Sequence, residues 1–246
     1  MTSRRLVVPS DTIVGNRATV TGPQHHYLRH VLRLKRGDPV LLLDETGARH
    51  EGRIGALGPR KVVVELTDHL APEPAPTPRL VLVYGLSRRT KTEWVLQKAT
   101  ELGVDWVLPA ATERSVSRPA DGGRRLERWL EIVAQASRQC GRTALPLLSP
   151  AQPYSVALSQ AAAATDCRIV ATPEGRPLAE HAAAIAGADN RAVAMAVGPE
   201  GGFTALELDQ ARDHGFRPVS LGPRVLRTET AALALLALVA HLAKRM

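Results

Sequence analysis

A chain of 246 residues, 44% hydrophobic and 23% charged, has enough apolar material for a buried core and too little charge for wholesale disorder. A formal net charge of +8 biases it toward polyanions, because neutralised phosphates release condensed counterions, while 3% aromatics argue against a sheet that stacks bases on rows of Phe and Tyr. Its two cysteines, Cys140 and Cys167, form no CxxC pair, which disfavours a disulfide framework or a metal site.

Met1 to Pro9 carries Arg4 and Arg5 but no long apolar stretch, so no signal peptide is expected. Short β-favouring runs follow at Leu6–Val8, Arg17–Val20, Pro39–Leu43, Arg49–Ile54 and Lys61–Leu66, punctuated by Gly22, Gly37, Gly47 and Gly58. Such a series predicts a small barrel. Among them the spacing predicts a helix over Gln24 to Lys35, with Leu28, Val31 and Leu32 on one stripe and His25, Arg29, Arg33 and Arg36 on another. These four, with Arg4 and Arg5, are the candidate contacts to an RNA backbone. His25, His26 and His30 lack a fourth ligand and an acid partner, so no metal is expected there.

Residues 71–79 read APEPAPTPR, and alternating prolines continue neither a helix nor a central strand. The segment predicts a stiff linker between a domain over 1–71 and one over 79–246.

Beyond it the pattern alternates. Strands are expected at Leu80–Tyr84, Trp106–Pro109, Arg168–Ala171, Ala192–Val197 and Pro218–Leu221, and helices at Thr90–Leu102, Arg124–Arg138, Ala205–His214 and Thr228–Lys244. This alternation predicts an α/β fold, a parallel sheet flanked by helices that binds ligands beyond the carboxyl ends of its strands. No internal repeat is visible. Thr90 with Glu93 forms a capping-box pattern, Gly103 suits the end of that helix, and Glu93, Gln97 and Glu101 read as a solvated stripe with a Lys98–Glu101 pair. The last helix is apolar nearly all round from Ala231 to Ala240. That run is too short to span a membrane, so burial in the core or in a subunit interface is expected, in a protein of the reducing cytoplasm.

Two stretches carry the chemistry. The strand AVAMAV runs into Gly198-Pro199-Glu200-Gly201-Gly202-Phe203, and Thr204 with Glu207 forms a capping box at the helix that follows. Glycines there let a backbone approach a ligand and present its amides. The pattern is neither a P-loop nor GxGxxG, which argues against a nucleoside triphosphate and against a dinucleotide oxidoreductase. The second stretch is Leu221-Gly222-Pro223-Arg224-Val225-Leu226-Arg227-Thr228-Glu229-Thr230. Thr228 is expected as N-cap and Glu229 as a first-turn acid. Arg227 has no such structural reason to be there and suits an anionic group.

The motifs HHYLRHVLRLKRGD, KTEWVLQKATELGV, QCGR, VGPEGGF and LGPRVLRTETAALAL, in this order and over almost the whole length, make the chain resemble the RsmE family of bacterial 16S ribosomal RNA uridine-N3 methyltransferases, within the SPOUT class. It departs from the family at Arg138 and Cys140, where an acid and a serine are usual. The resemblance implies an N-terminal PUA-like RNA-binding β-barrel and a C-terminal α/β SPOUT domain whose chain makes a trefoil knot, which sequence physics alone disfavours. It also implies a homodimer acting on 16S ribosomal RNA or the small ribosomal subunit, and S-adenosylmethionine as cofactor, without metal or membrane. The cofactor residues so implied are Thr172, Pro173, Val197, Gly198, Pro199, Glu200, Gly201, Gly202, Leu221, Gly222, Leu226, Arg227 and Thr230. Glu200 and Glu229 are the candidate general bases, with proton loss to water as the alternative, and Arg227 or backbone amides are the candidate stabilisers of negative charge on the uracil. Uridine N3 follows from the resemblance alone. The rival readings are the same fold acting on another RNA or base atom, and a non-catalytic RNA-binding ribosome-assembly factor.

Overall fold

The computed structural model describes residues 5–26, 28–29, 32–44, 48–70, 76–116, 124–142, 144–187 and 192–246, with backbone only for Arg5, Val7, Pro23, Leu43 and Leu70. Two compact units result, Met1–Ala75 with Ser137–Leu145, and Pro76–Ala136 with Pro146–Met246. Most of the expected linker, 71–75, lies outside the described residues.

The first unit holds β1 (Arg5–Val7), β2 (Ile13–Val14), β3 (Arg17–Thr21), the short helix α1 (Gly22–His26), β4 (Pro39–Leu43), β5 (Arg49–Leu57) and β6 (Lys61–Leu70). The strands pair in the order β1-β4-β5-β6-β3-β2, and all pairs but β1–β4 are antiparallel. Period-2 alternation fixes the register: Ala18 and Val20 of β3 face inward opposite Val64 and Val62 of β6. With Leu6, Leu42, Ile54 and Leu66 they form one apolar core.

The predicted helix over Gln24 to Lys35 is cut short. Among the described residues regular α-helix covers Gly22–His26, Leu28 and Arg29 lie in a wider helical turn, residues 32–35 are not helical, and Arg33 has a φ of 49°. Leu28 and Leu34 explain the break, since both are buried, at 0% and 4% exposure. Six positions on a helix turn a side chain through about 240°, which would send one of the two to solvent.

The second unit holds β7 (Arg79–Gly85), α2 (Arg89–Glu101), β8 (Trp106–Ala111), α3 (Arg124–Cys140, whose last turn from Ser137 is grouped with the first unit), β9 (Leu147–Leu148), β10 (Gln152–Pro153), α4 (Tyr154–Ala164), β11 (Cys167–Pro177), α5 (Ala182–Ala186), β12 (Ala192–Val197), α6 (Ala205–Asp213), β13 (Arg217–Ser220) and α7 (Thr228–Leu242). Its sheet is parallel throughout, in the order β10-β8-β7-β12-β11-β13, with β9 also on β8. Successive side chains of the central strands serve opposite faces. Leu80, Leu82, Tyr84, Val193, Met195 and Val197 pack with α2 and α7 through Val95, Leu96, Leu235, Leu236 and Val239. Val81, Val83, Ala194 and Ala196 pack with α4 and α6 through Ala157, Leu158 and Ala211.

Several local expectations change. The Thr90–Glu93 capping box does not form: α2 starts at Arg89 with Arg88 as its uncapped N-cap, and Glu93 instead pairs with Arg89 at 2.8 Å. Thr228 is the first residue of α7 and not its N-cap, which is Arg227. α4 adds a helix that spacing does not signal, because YSVALSQAAAA is dominated by small residues that draw no apolar stripe. α7 buries Ala232, Leu235, Leu236, Val239 and Ala240 but leaves Leu238 46% exposed, so this unit covers one side of it. Its last turn leads to Arg245, which donates to the carbonyl of Pro78 and, at 2.9 Å, to Oδ2 of Asp105, itself bonded to the amide of Leu80. Among the described residues no helix is long and apolar enough to cross a membrane, and no group of three or more His, Cys, Asp or Glu could hold a metal.

Candidate cofactor and catalytic site

Three parallel strands deliver their carboxyl ends to one place. β12 ends at Val197 and passes into the Gly198–Phe203 turn, which the amide of Gly202 closes onto the carbonyl of Pro199 at 2.9 Å. That turn lies hard against the end of β7: a Cβ on Gly85 would stand 2.6 Å from the Pro199 nitrogen. β13 ends at Ser220 and passes through Leu221–Arg227, where Gly222 has a φ of 114°, into α7. β11 contributes an excursion between Ala171 and Arg176, where its pairing with β13 shifts register. The turns after β12 and β13 are joined by the Thr228 hydroxyl, which donates to the Gly198 carbonyl.

Between these segments lies a cleft of about 660 Å³, within the size range of small-molecule sites. Thr172, Pro173, Val197, Gly198, Pro199, Glu200, Gly201, Gly202, Leu221, Gly222, Leu226 and Arg227 all line it, as does Thr228. Thr230 does not, and it is exposed. Two positions on a helix are about 200° apart, so a helix that aims Thr228 at Gly198 turns Thr230 away. Glu229 is not in the lining either. It stands beside the cleft, with Oε2 3.1 Å from Nζ of Lys91.

Sequence spacing misses Lys91 and Arg114, both of which reach the cleft. Lys91 Nζ also lies 3.5 Å from Oε1 of Glu200. A usable signal exists for it: Lys91 occupies the first turn of α2, where the helix dipole disfavours a cation, so another partner is implied. Arg114 donates to the Gly201 carbonyl at 2.8 Å. The expected capping box at α6 forms, Thr204 accepting from the Glu207 amide and Glu207 from the Thr204 amide. Glu207 has a second task, since its other oxygen accepts from the amide of Glu113 at 2.8 Å and ties the loop after β8 to the same turn.

Burial pushes the Glu200 carboxyl upward, but its own amide, the Arg88 amide and the Lys91 ammonium outweigh this and hold it below the ordinary carboxylate value. Beneath the cleft the Tyr84 hydroxyl donates to Ser87 at 2.9 Å, and burial raises its pKa to about 12.

The candidate RNA residues divide. His25 is 8% exposed and its Nε2 donates to the Gly58 carbonyl at 3.0 Å, so it serves the fold. Arg29 donates to the same carbonyl at 2.7 Å but is exposed, as are Arg33 and Arg36. Arg4 lies outside the described residues, and of Arg5 only the backbone is described. Arg138 and Cys140 lie near the end of α3 and are not in the cleft lining.

Residues 73–240 match the RNA methyltransferase domain family, and residues 20–67 match the RNA methyltransferase PUA domain. A ribosomal RNA small subunit methyltransferase E from Synechocystis is 32% identical over 236 residues, 95% of this chain and 76% of the relative. The chain belongs to the ribosomal RNA small subunit methyltransferase E family. The Neisseria gonorrhoeae member of that family, solved bound to S-adenosyl methionine, is 31% identical with a TM-score of 0.80, over 98% of each chain. A methyltransferase from Legionella pneumophila, solved in complex with its cofactor SAM, is 27% identical with a TM-score of 0.85, over 98% of each chain.

The cleft of this methyltransferase suits an adenosyl amino acid. Val197, Leu221, Leu226 and Ala231 offer an apolar slot for a purine, and unbranched backbone at Gly198, Gly201, Gly202 and Gly222 offers amides and carbonyls for ring edges and ribose hydroxyls. Side chains of both charges line the same opening, with Lys91, Arg114, Arg224 and Arg227 beside Glu174 and Glu200, which matches a ligand that carries a sulfonium, an ammonium and a carboxylate.

Proposed function

We propose that this protein transfers the methyl group of S-adenosylmethionine to N3 of a uridine in the 16S ribosomal RNA of the small subunit. The observation that carries the reading is the meeting of the turns after β12 and β13 around one cleft, with Thr228 bonded to Gly198. When bound, S-adenosylmethionine supplies a sulfonium methyl open to in-line attack. Everything else falls to the chain. The backbone of 198–202 and 221–226, together with Thr172 and Pro173, would hold the adenosyl group. Fixing nucleophile and methyl in line is the larger contribution, about 7–11 kcal/mol in favourable cases.

Uracil N3 must lose a proton before or during attack, and a placed base contributes about 10²- to 10⁴-fold. Glu200 is held below its ordinary carboxylate value and is engaged by the Arg88 amide and Lys91, whereas the buried Oε2 of Glu229 accepts no hydrogen bond among the described residues. Glu229 is the better candidate. The negative charge that develops on the uracil carbonyls faces Arg227, an exposed cation at the rim of the cleft. Arg29, Arg33 and Arg36, all exposed, are assigned to the RNA backbone, with Arg4 and Arg5 in support. The same reading makes the two turns the loops of a trefoil knot and the protein a cytoplasmic homodimer. The open side of α7, with Leu238 at 46% and the preceding Val225 at 85% exposure, supports a second copy as its cover.

In vitro methyl transfer to small-subunit particles and to naked 16S RNA, followed by nucleoside analysis, tests the proposal. 3-Methyluridine at one position is expected. Another methylated nucleoside would move the activity to a different base atom. RNA binding with no calorimetric response to S-adenosylmethionine would make the protein an assembly factor.

A further inference from the structure

Lys91 touches both candidate glutamates. Its ammonium lies 3.1 Å from Oε2 of Glu229 and 3.5 Å from Oε1 of Glu200, and the three side chains are 30%, 16% and 28% exposed. Each belongs to a different segment: Lys91 to the first turn of α2, Glu200 to the turn after β12, and Glu229 to the first turn of α7. Glu200 reaches α2 a second time, at 3.5 Å from the amide of Arg88. One ammonium can attract two carboxylates at once, and toward Glu229 it does so by charge alone, since the buried Oε2 accepts no hydrogen bond among the described residues. Without it two half-buried carboxylates would face each other across the space it fills, and like charges at close range repel. The neighbouring Arg89 is engaged elsewhere, paired with Glu93 at 2.8 Å.

The position of Lys91 points the same way. A lysine in the first turn of a helix opposes the helix dipole, so α2 alone gives no reason for it. The segments it joins are the two walls of the cleft, which the Thr228–Gly198 bond joins at a separate point.

We infer that Lys91 is a positioning residue of the cofactor cleft: through Glu200 and Glu229 it clamps the turn at 198–202 to the start of α7 and so fixes the width of the opening that the methyl donor enters. The inference rests on the proposed function for what the cleft holds, but the clamp itself is a property of the free protein.

The test uses the full chain with Lys91→Met, Lys91→Arg and Glu200→Gln. Hydrogen exchange of the cofactor-free protein is followed by mass spectrometry, and then calorimetry and steady-state kinetics with S-adenosylmethionine. In Lys91→Met, peptides covering 198–203 and 228–231 are expected to exchange about tenfold faster, while those of β7 and the centre of β12 keep the parental rate. The Kd and KM for S-adenosylmethionine rise about tenfold, with a smaller change in kcat. Lys91→Arg restores most of the protection, because a guanidinium can bridge two carboxylates as well. Glu200→Gln cuts one arm only and loosens 198–203 while leaving 228–231 protected, which decides the matter even if Lys91→Met folds poorly. Parental exchange at 198–203 in both Lys91→Met and Glu200→Gln overturns the clamp. Failure of the parent protein to bind S-adenosylmethionine overturns the proposed function instead, and the exchange data judge the clamp independently of it.

Discussion

The hydroxyl of Thr228 donates to the carbonyl of Gly198, thirty residues earlier in the chain, at a point 6% exposed. It is a direct bond between the two walls of the cleft, and it places the first helical residue of α7 against the first residue of the turn after β12. A buried acceptor left without its donor costs about 1–3 kcal/mol. Thr228→Val, which keeps the shape and removes the donor, should lower unfolding stability by that amount in a urea titration. It should also weaken S-adenosylmethionine binding by calorimetry. A loss of stability with unchanged affinity would show that the bond serves the fold and not the cleft.

Gly85 predicts a sharper result. Its Cβ would lie 2.6 Å from both the nitrogen and Cδ of Pro199, atoms that cannot swing aside. Overpacking of this kind costs about 1–3 kcal/mol. Gly85→Ala should therefore push the 198–202 turn outward and reduce cofactor affinity, whereas Gly103→Ala, with no atom within 4 Å of its Cβ, should carry only the backbone cost of its φ of 88°.

Glu229→Gln keeps the size of the side chain and removes its capacity to accept a proton. Turnover at saturating cofactor should fall about 10²-fold or more, well beyond the rise in Kd that follows from cutting one arm of the Lys91 clamp, since a general base acts only in the chemical step. Single-turnover kinetics check this, and a variant with near-normal turnover removes Glu229 from the role.

The depressed Glu200 carboxyl has a signed consequence for acid stability. Its folded pKa lies below the ordinary value of 4.5, so the folded state favours the ionised form. The stabilisation it brings is fully present above that value and is lost as pH falls through the folded pKa, in the window just below 4.5. Stability curves from neutral pH down through that window should show a shallower acid limb in Glu200→Gln than in the parent. Parallel limbs would contradict the depression of the Glu200 carboxyl by its own amide, the Arg88 amide and Lys91.

For RNA, Arg29→Ala combined with Arg33→Ala should reduce the slope of log affinity against log salt by about 0.7–0.9 for each phosphate no longer neutralised. Filter binding to 16S RNA across a range of potassium chloride measures it. An unchanged slope would relocate the RNA surface. His25→Ala, by contrast, should show itself in stability, because its ring is buried against Gly58.

Strong periodicity makes most of the second unit legible in the amino-acid order alone. β12 is buried at all six positions, so its run of apolar residues has one interpretation, and the Thr204–Glu207 box marks the start of α6 to the residue. Thr90 and Glu93 have the same pattern and do not cap, because α2 begins at Arg89 and Glu93 is drawn sideways to Arg89 and, at 3.7 Å, Arg128. Spacing alone cannot separate these cases; the competing partner is supplied by packing. The same limit hides Lys91, whose two partners lie more than a hundred positions away and come together only once the sheet is assembled. Thr230 has cleft residues as neighbours in sequence, and the turn of the helix carries it away from them. Residues 24–35 mislead in another way: helix periodicity is present, but the demand to bury both Leu28 and Leu34 overrides it.

The guanidinium of Arg245, at the far end of the second unit, is fastened to the carbonyl of Pro78 and the carboxylate of Asp105, where β7 is about to begin. The first strand and the last residues of this unit are therefore tied at one place. A polypeptide sealed there and reopened at some surface turn would keep every bond of the junction, whereas shortening the chain by its final two residues would unlatch it.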